Sequence, residues 1–200
     1  MDCVGCGSAA VTERSDLTAQ GYHRFRCRDC GKQFNERSDG LLNRASLPSD
    51  IIAFVVFCRL RYRLTLRDLS EIMLLRGFTI SHECVRQWEA KLLPVMGEAL
   101  RKRRHGTGRN SGQSWYADET HLKVHGHWCY LYRHRGIKGR IRCMCCFKEH
   151  DAADRFCREH DELRNFLRSR SRHNQYIPAA HRRRHFLHHA RIAICIMQIA

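Results

Sequence analysis

Long apolar runs are missing from these 200 residues. The longest candidates, Ile51–Cys58 and Ile192–Met197, fall well short of the roughly 18 residues that a membrane span requires. Mean hydropathy is −0.53, and no membrane partner is expected. The N-terminus also lacks the basic-then-apolar pattern of a secretory signal, so a cytoplasmic location is expected. Acidic side chains are scarce, 20 Asp+Glu against 36 Lys+Arg, for a net charge of +16 and a pI of about 9.8. That shortage argues against an acidic disordered tail and against a small-metabolite enzyme of ordinary charge. It favours a partner with dense negative charge, nucleic acid first and an anionic membrane surface second. A disulfide framework is not expected in such a compartment, so the 12 cysteines read as metal ligands or buried thiols.

The positive charge is uneven. Residues 134–200 carry 15 basic and 6 acidic side chains, and arginine outnumbers lysine, which suits bidentate contact with phosphate. Residues 1–44 contain Cys3-x-x-Cys6 and Cys27-x-x-Cys30, each pair followed by glycine, Gly7 and Gly31. Such a knuckle bends both sulfurs toward one ion, and glycine permits the tight backbone approach. Four thiolates offer Zn²⁺ a closed tetrahedral site, which is structural rather than catalytic. Between the pairs, Tyr22-His23-Arg24-Phe25-Arg26 alternates aromatic and basic residues as a strand does. The expectation is a zinc ribbon bound through Cys3, Cys6, Cys27 and Cys30, with the metal supplying most of its folding energy.

Residues 48–104 read as helical. Ser49-Asp50 is expected to cap a helix from Ile51 to Leu60. Thr65-x-x-Asp68 is a capping box opening a helix with Leu66, Leu69, Ile72, Met73 and Leu75 at apolar spacing. Arg76-Gly77 ends it as a basic last turn and a C′ glycine. Ser81 caps the next helix, which buries Val85, Trp88 and Leu92. Helix, glycine turn and helix at this length form a helix-turn-helix pattern. The second helix turns His82, Glu83, Arg86, Gln87 and Lys91 outward, where they can reach base edges or phosphates in a major groove. The DNA-binding set is therefore Ser81, His82, Arg86, Gln87 and Lys91.

After a linker over 105–114, Trp115 to Val124 alternates like a strand and Trp128 to Arg133 forms a second, with Gly126 in the turn between. Asp151 to Arg168 is a helix with Ala153, Phe156, Cys157, His160, Leu163 and Leu167 on one face, supported by the pairs Asp151–Arg155 and Asp154–Arg158. Residues 171–200 read as a basic C-terminal tail. Cys143, Cys145 and Cys146 lack knuckle spacing. His121, His125 and His127 read as surface residues near the hairpin turn. His185 and His189 read as part of a basic face, and Cys58, Cys84, Cys129, Cys157 and Cys195 as buried thiols.

The segment Trp115-Tyr116-Ala117-Asp118-Glu119-Thr120 through Lys123-Val124, Gly126 and Trp128-Cys129-Tyr130-Leu131-Tyr132-Arg133 resembles transposases of the insertion sequence six family. So do the helix-turn-helix, Leu66-Arg67-Asp68 through Trp88, and the stretch His134 to Arg140. The N-terminal ribbon is carried by only some members. These are bacterial DDE recombinases with a ribonuclease H-like catalytic domain. The resemblance implies an α+β multi-domain chain: ribbon, helix-turn-helix, and over 115–170 a truncated ribonuclease H-like domain left as a β-hairpin plus C-terminal helices. It implies binding to the element's terminal inverted repeats, and, in intact relatives, strand transfer with Mg²⁺ held by three carboxylates.

Asp118 takes the place of the first catalytic acid. Glu119, its neighbour on a strand, points to the opposite face. The third acid of the family stands three residues before a His-Arg pair, and here that position is Leu131. The chain thus looks like a transposase with an internal in-frame deletion, on the order of 80 residues from the usual size of such a domain. It is expected to bind DNA and to be catalytically incomplete, alone or as an oligomer with itself or with intact transposase. The alternative is a non-catalytic regulator, such as a transposition repressor, built from the same ribbon and helix-turn-helix.

Overall fold

The computed structural model describes residues 1–103, 117–124, 127–134, 150–168 and 177–199. Within them the chain mixes a three-stranded antiparallel sheet, a two-stranded hairpin and five helices. The linker 105–114, His125, Gly126, Cys143, Cys145, Cys146 and Glu149 lie outside the described residues.

Strands β1 (Val11–Leu17), β2 (His23–Cys27) and β3 (Gln33–Asn35) are arranged in chain order. Glu13, Phe25 and Phe34 align across the three strands, and the Phe25 and Phe34 rings lie 5.7 Å apart. The buried core of this unit is Cys3, Cys27 and Phe34, with Val4, Val11 and Phe25 against it. So small a core cannot by itself repay the ordering of some 40 residues.

Helices α1 (Ser49–Tyr62), α2 (Leu66–Leu75), α3 (His82–Lys102), α4 (His150–Leu167) and α5 (Ala179–Ile199) pack around a second, much larger core. The capping box forms as expected: Thr65 N donates to Asp68 Oδ2 at 2.9 Å, and Asp68 N donates to Thr65 Oγ1 at 3.1 Å. The amphipathic face expected of α4 is buried at all six positions.

Four expectations are corrected. Ser49-Asp50 is not the cap of α1. Pro48 is the N-cap, without a side-chain bond, and the amide of Ser49 instead donates to the hydroxyl of Tyr22 at 2.7 Å. On α2 only Leu69 and Met73 are buried, whereas Ile72 and Leu75 are exposed at 42% and 87%. Of the thiols, Cys157 is buried, Cys58 and Cys84 are half-buried, and Cys195 is exposed. The segment read as a basic tail forms α5 over Ala179–Ile199, with Ala190, Ala193 and Met197 in the core. On α5, His185 and His189 stack at 3.9 Å and are half-buried, and His189 meets the Phe166 ring of α4 at 4.8 Å.

One ion pair joins three helices. Arg59 Nε donates to Glu89 Oε2 at 3.0 Å with both side chains under 10% exposed, and the guanidinium lies 4.8 Å from the Phe156 ring. Arg59 also donates to the carbonyl of Leu64, closing the turn after α1. Removing one partner strands a buried charge, so Glu89→Ala is expected to destabilise the helical core by about 3–5 kcal/mol. Denaturant unfolding monitored by circular dichroism measures this, and a shift under 1 kcal/mol would refute it.

Hairpin strands β4 (Ala117–Val124) and β5 (His127–His134) run in register from Ala117 opposite His134 to Val124 opposite His127.

Candidate metal centre and nucleic-acid interface

The two cysteine knuckles are built alike. In the first, Gly7 N donates to Cys3 O at 2.8 Å and Cys3 N to Ser8 O at 2.9 Å. In the second, Gly31 N donates to Cys27 O at 3.2 Å and Cys27 N to Lys32 O at 3.0 Å. Gly7 and Gly31 both take the left-handed conformation, φ 71° and 73°, which a side chain would resist. In each knuckle the first cysteine is buried and the second exposed.

The four sulfurs all lie within 4.8 Å of one another. Cys3 and Cys30 Sγ are 3.5 Å apart, and Cys6 and Cys27 Sγ 3.6 Å. A disulfide would bring two sulfurs to about 2.05 Å, whereas a tetrahedron with Zn–S near 2.3 Å has edges of about 3.8 Å. The donor set and spacing therefore fit a tetrahedral thiolate ion. The electrostatics agree. The Gly5 amide, 3.4 Å from the Cys3 sulfur, leads the groups that lower the Cys3 thiol to about 6. The Ser8 amide favours a thiolate at Cys6, yet the surrounding sulfurs, Cys30 foremost, push that thiol up to about 12. Crowded thiolates keep one another protonated, and a dication at their centre removes the conflict.

The sheet is fastened to the helices. Arg37, buried, donates from Nη1 to Gln20 Oε1 at 2.6 Å and to Leu47 O at 2.9 Å, and from Nη2 to Leu42 O. Gln20 Nε2 in turn donates to Ala45 O at 3.0 Å and Ser46 O at 2.6 Å, and Arg37 lies over the Tyr22 ring at 5.1 Å. Sequence inspection missed this tie, because an arginine in a polar stretch carries no signal for the carbonyls it will meet.

Helix α2 ends at Arg76. Gly77, φ 82°, sends its amide to Leu74 O at 2.9 Å, and the Phe78 amide goes to Met73 O at 2.9 Å, the two bonds of a Schellman turn. Ser81 then caps α3, its Oγ accepting from Cys84 N at 3.2 Å. Val85, Trp88 and Leu92 are buried. Ser81, His82, Glu83, Gln87 and Lys91 are exposed, and Arg86 is half-buried with Nη2 2.8 Å from Glu83 Oε2. Glu83, Gln87 and Lys91 follow i, i+4 spacing and share a stripe.

Asp118 sits on β4 opposite Arg133 of β5. Of the other acids considered, Asp151 is exposed on the first turn of α4, and Asp154 is paired with Arg158.

A family model for a DDE domain, of the IS240 transposase type, matches residues 112–178. The transposase for insertion sequence-like element IS431mec of Staphylococcus aureus, strains Mu50 and N315, is 32% identical over 102 residues, 51% of this chain and 44% of the relative. The transposase for insertion sequence element IS257 in transposon Tn4003 of Staphylococcus aureus matches to the same extent. The chain spans less than half the length of these curated relatives. No solved structure matches it significantly. Among the described residues no helix is long and apolar enough to cross a membrane.

Proposed function

We propose that the chain is a member of the insertion sequence six family of transposases, and that it binds the ends of its element as DNA while lacking a complete catalytic site. The observation that carries the reading is the DDE-domain match over residues 112–178, joined to relatives that are named transposases. DDE chemistry uses divalent metal ions, and in intact relatives Mg²⁺ would be held by three acids. Of that set this chain offers Asp118 by motif.

Four features support the division of labour. The sulfur tetrahedron of Cys3, Cys6, Cys27 and Cys30 is read as a structural zinc site, making residues 1–44 a ribbon. Helices α2 and α3, joined by the Gly77 turn, are read as a helix-turn-helix. The hairpin β4–β5 with α4 is read as what remains of a ribonuclease H-like domain. The net charge of +16 suits a polyanion. A chain of this kind would occupy terminal inverted repeats in the cytoplasm and could compete with, or join, an intact transposase.

Within this reading α3 is the recognition helix. Gln87→Ala and Arg86→Ala are each expected to weaken binding to a duplex carrying the element's terminal repeat by about 1–3 kcal/mol if they reach base edges. Gln87 is the cleaner probe, because Arg86 is also paired with Glu83. Fluorescence anisotropy with the full chain measures the change. Two variants that bind the repeat like the parent would remove α3 from that role.

A further inference from the structure

The ribbon sheet has a second face, and we infer that it is a phosphate-binding surface that holds duplex DNA without reading its sequence. The inference rests on the DNA-binding reading above and adds to it a contact area separate from α3.

Cross-strand register defines the face. Thr12, Arg26 and Gln33 are direct partners across β1, β2 and β3, and Arg24 is opposite Asn35. Directly opposed residues share a side of the sheet, so this row is the reverse of the side bearing Phe25 and Phe34. One side holds the ribbon's small core, and the other carries arginines. Arg14, Arg26 and Arg28, with Thr12, Cys27 and Gly31, line an open cleft of about 470 Å³.

The guanidiniums are held in position. Arg28 Nε donates to Thr12 Oγ1 at 2.8 Å, which turns its two terminal nitrogens away from that contact. Asp16 accepts from Arg14 Nε at 3.0 Å and from Arg24 Nη1 at 3.0 Å. Arg14 and Arg24 lower the Asp16 carboxyl in spite of desolvation, which raises it. One carboxylate thus orients two cations and cannot neutralise both. Arg26 makes no ion pair among the described residues. Four arginines against one acid on one side of a small sheet is an excess of positive charge at fixed spacing. Planar guanidiniums with free forks match phosphodiester oxygens bidentately.

The occupant is the DNA backbone, because the groups offered are charge and fork geometry. The face has no apolar pocket for a side chain and no aromatic platform for an unstacked base. Contact at phosphates alone gives affinity that is equal on every sequence and steep in salt. The Arg37 and Gln20 ties to residues 42–47 fasten the sheet to the segment that leads into α1, so binding here adds to binding at α3 within one chain.

The test uses the full zinc-loaded chain, two duplexes of equal length (one with the terminal repeat, one scrambled) and anisotropy titrations between 50 and 200 mM KCl. Arg14→Gln/Arg26→Gln/Arg28→Gln is expected to lose roughly tenfold or more in affinity on both duplexes alike. The slope of log K against log salt should fall by about 0.9 for each phosphate contact removed. Arg26→Lys/Arg28→Lys should keep most of the slope, and zinc content should match the parent in both variants. Gln87→Ala should instead weaken the repeat duplex selectively. A triple variant with parental affinity and slope, while Gln87→Ala is impaired, would overturn the inference and leave the DNA reading standing. So would a loss confined to the repeat duplex. A parent that binds neither duplex would overturn the DNA reading itself.

Discussion

On the zinc-ribbon reading proposed above, Cys27→Ser is expected to release zinc and unfold the chain up to about residue 40, while the helical unit stays folded. Cys27 is the most buried of the four cysteines, 1% exposed, and its backbone anchors the second knuckle. Loss of one thiolate leaves three donors around a site whose apolar core is three residues. Structural zinc contributes about 10–16 kcal/mol of folding free energy in small metal-dependent units at neutral pH, far more than that core can replace. The boundary falls near residue 40 because Leu42 already belongs to the helical core, whereas Phe34 belongs to the ribbon. Metal analysis should find about one zinc per chain in the parent and none in the variant. Limited trypsin digestion should open the Arg24, Arg26 and Arg28 sites while helical circular dichroism is retained. A parent that purifies without metal, yet protects those arginines from trypsin, would refute a zinc-dependent ribbon.

Local signals in the sequence carried most of the elements. The doubled Cys-x-x-Cys-Gly needs only short-range geometry, and the two knuckles close with the same bonds. The Thr65–Asp68 box, the Gly77 turn and the Ser81 cap are likewise settled within a few residues. The α4 face was legible because its apolar positions repeat at helical spacing over 18 residues. What was not legible depends on partners far along the chain. Tyr22 takes the Ser49 amide from 27 residues away, and Arg59 finds Glu89 at a separation of 30. Periodicity marks a broad apolar stripe on α2 but cannot say which part another element will cover, and so Ile72 and Leu75 end in solvent. On the proposed DNA interface the sequence indicates which residues of α3 face outward. Only strand register shows that Thr12, Arg26 and Gln33 stand side by side.

No strand transfer above background is expected from this chain alone, with Mg²⁺ or Mn²⁺, on a substrate carrying the element's ends. In-line displacement at phosphorus needs an activated nucleophile and a stabilised leaving oxygen, and a metal pair clamped by several carboxylates supplies both. Motif matching assigns Asp118 to the first of these acids and leaves Leu131 where the third would stand. A single carboxylate can hold a hard cation with water filling its other positions, but it cannot set two ions at a fixed separation. Asp151 is exposed on α4 and Asp154 is engaged by Arg158. Losing the metal pair costs several orders of magnitude in rate, since each 1.4 kcal/mol of lost transition-state stabilisation is tenfold. The same preparation should still retard repeat DNA in a gel, which separates loss of chemistry from loss of binding. Activity that is abolished by Asp118→Asn would refute the prediction and show that other acids complete the site. Glu149→Gln and Asp151→Asn would then identify them.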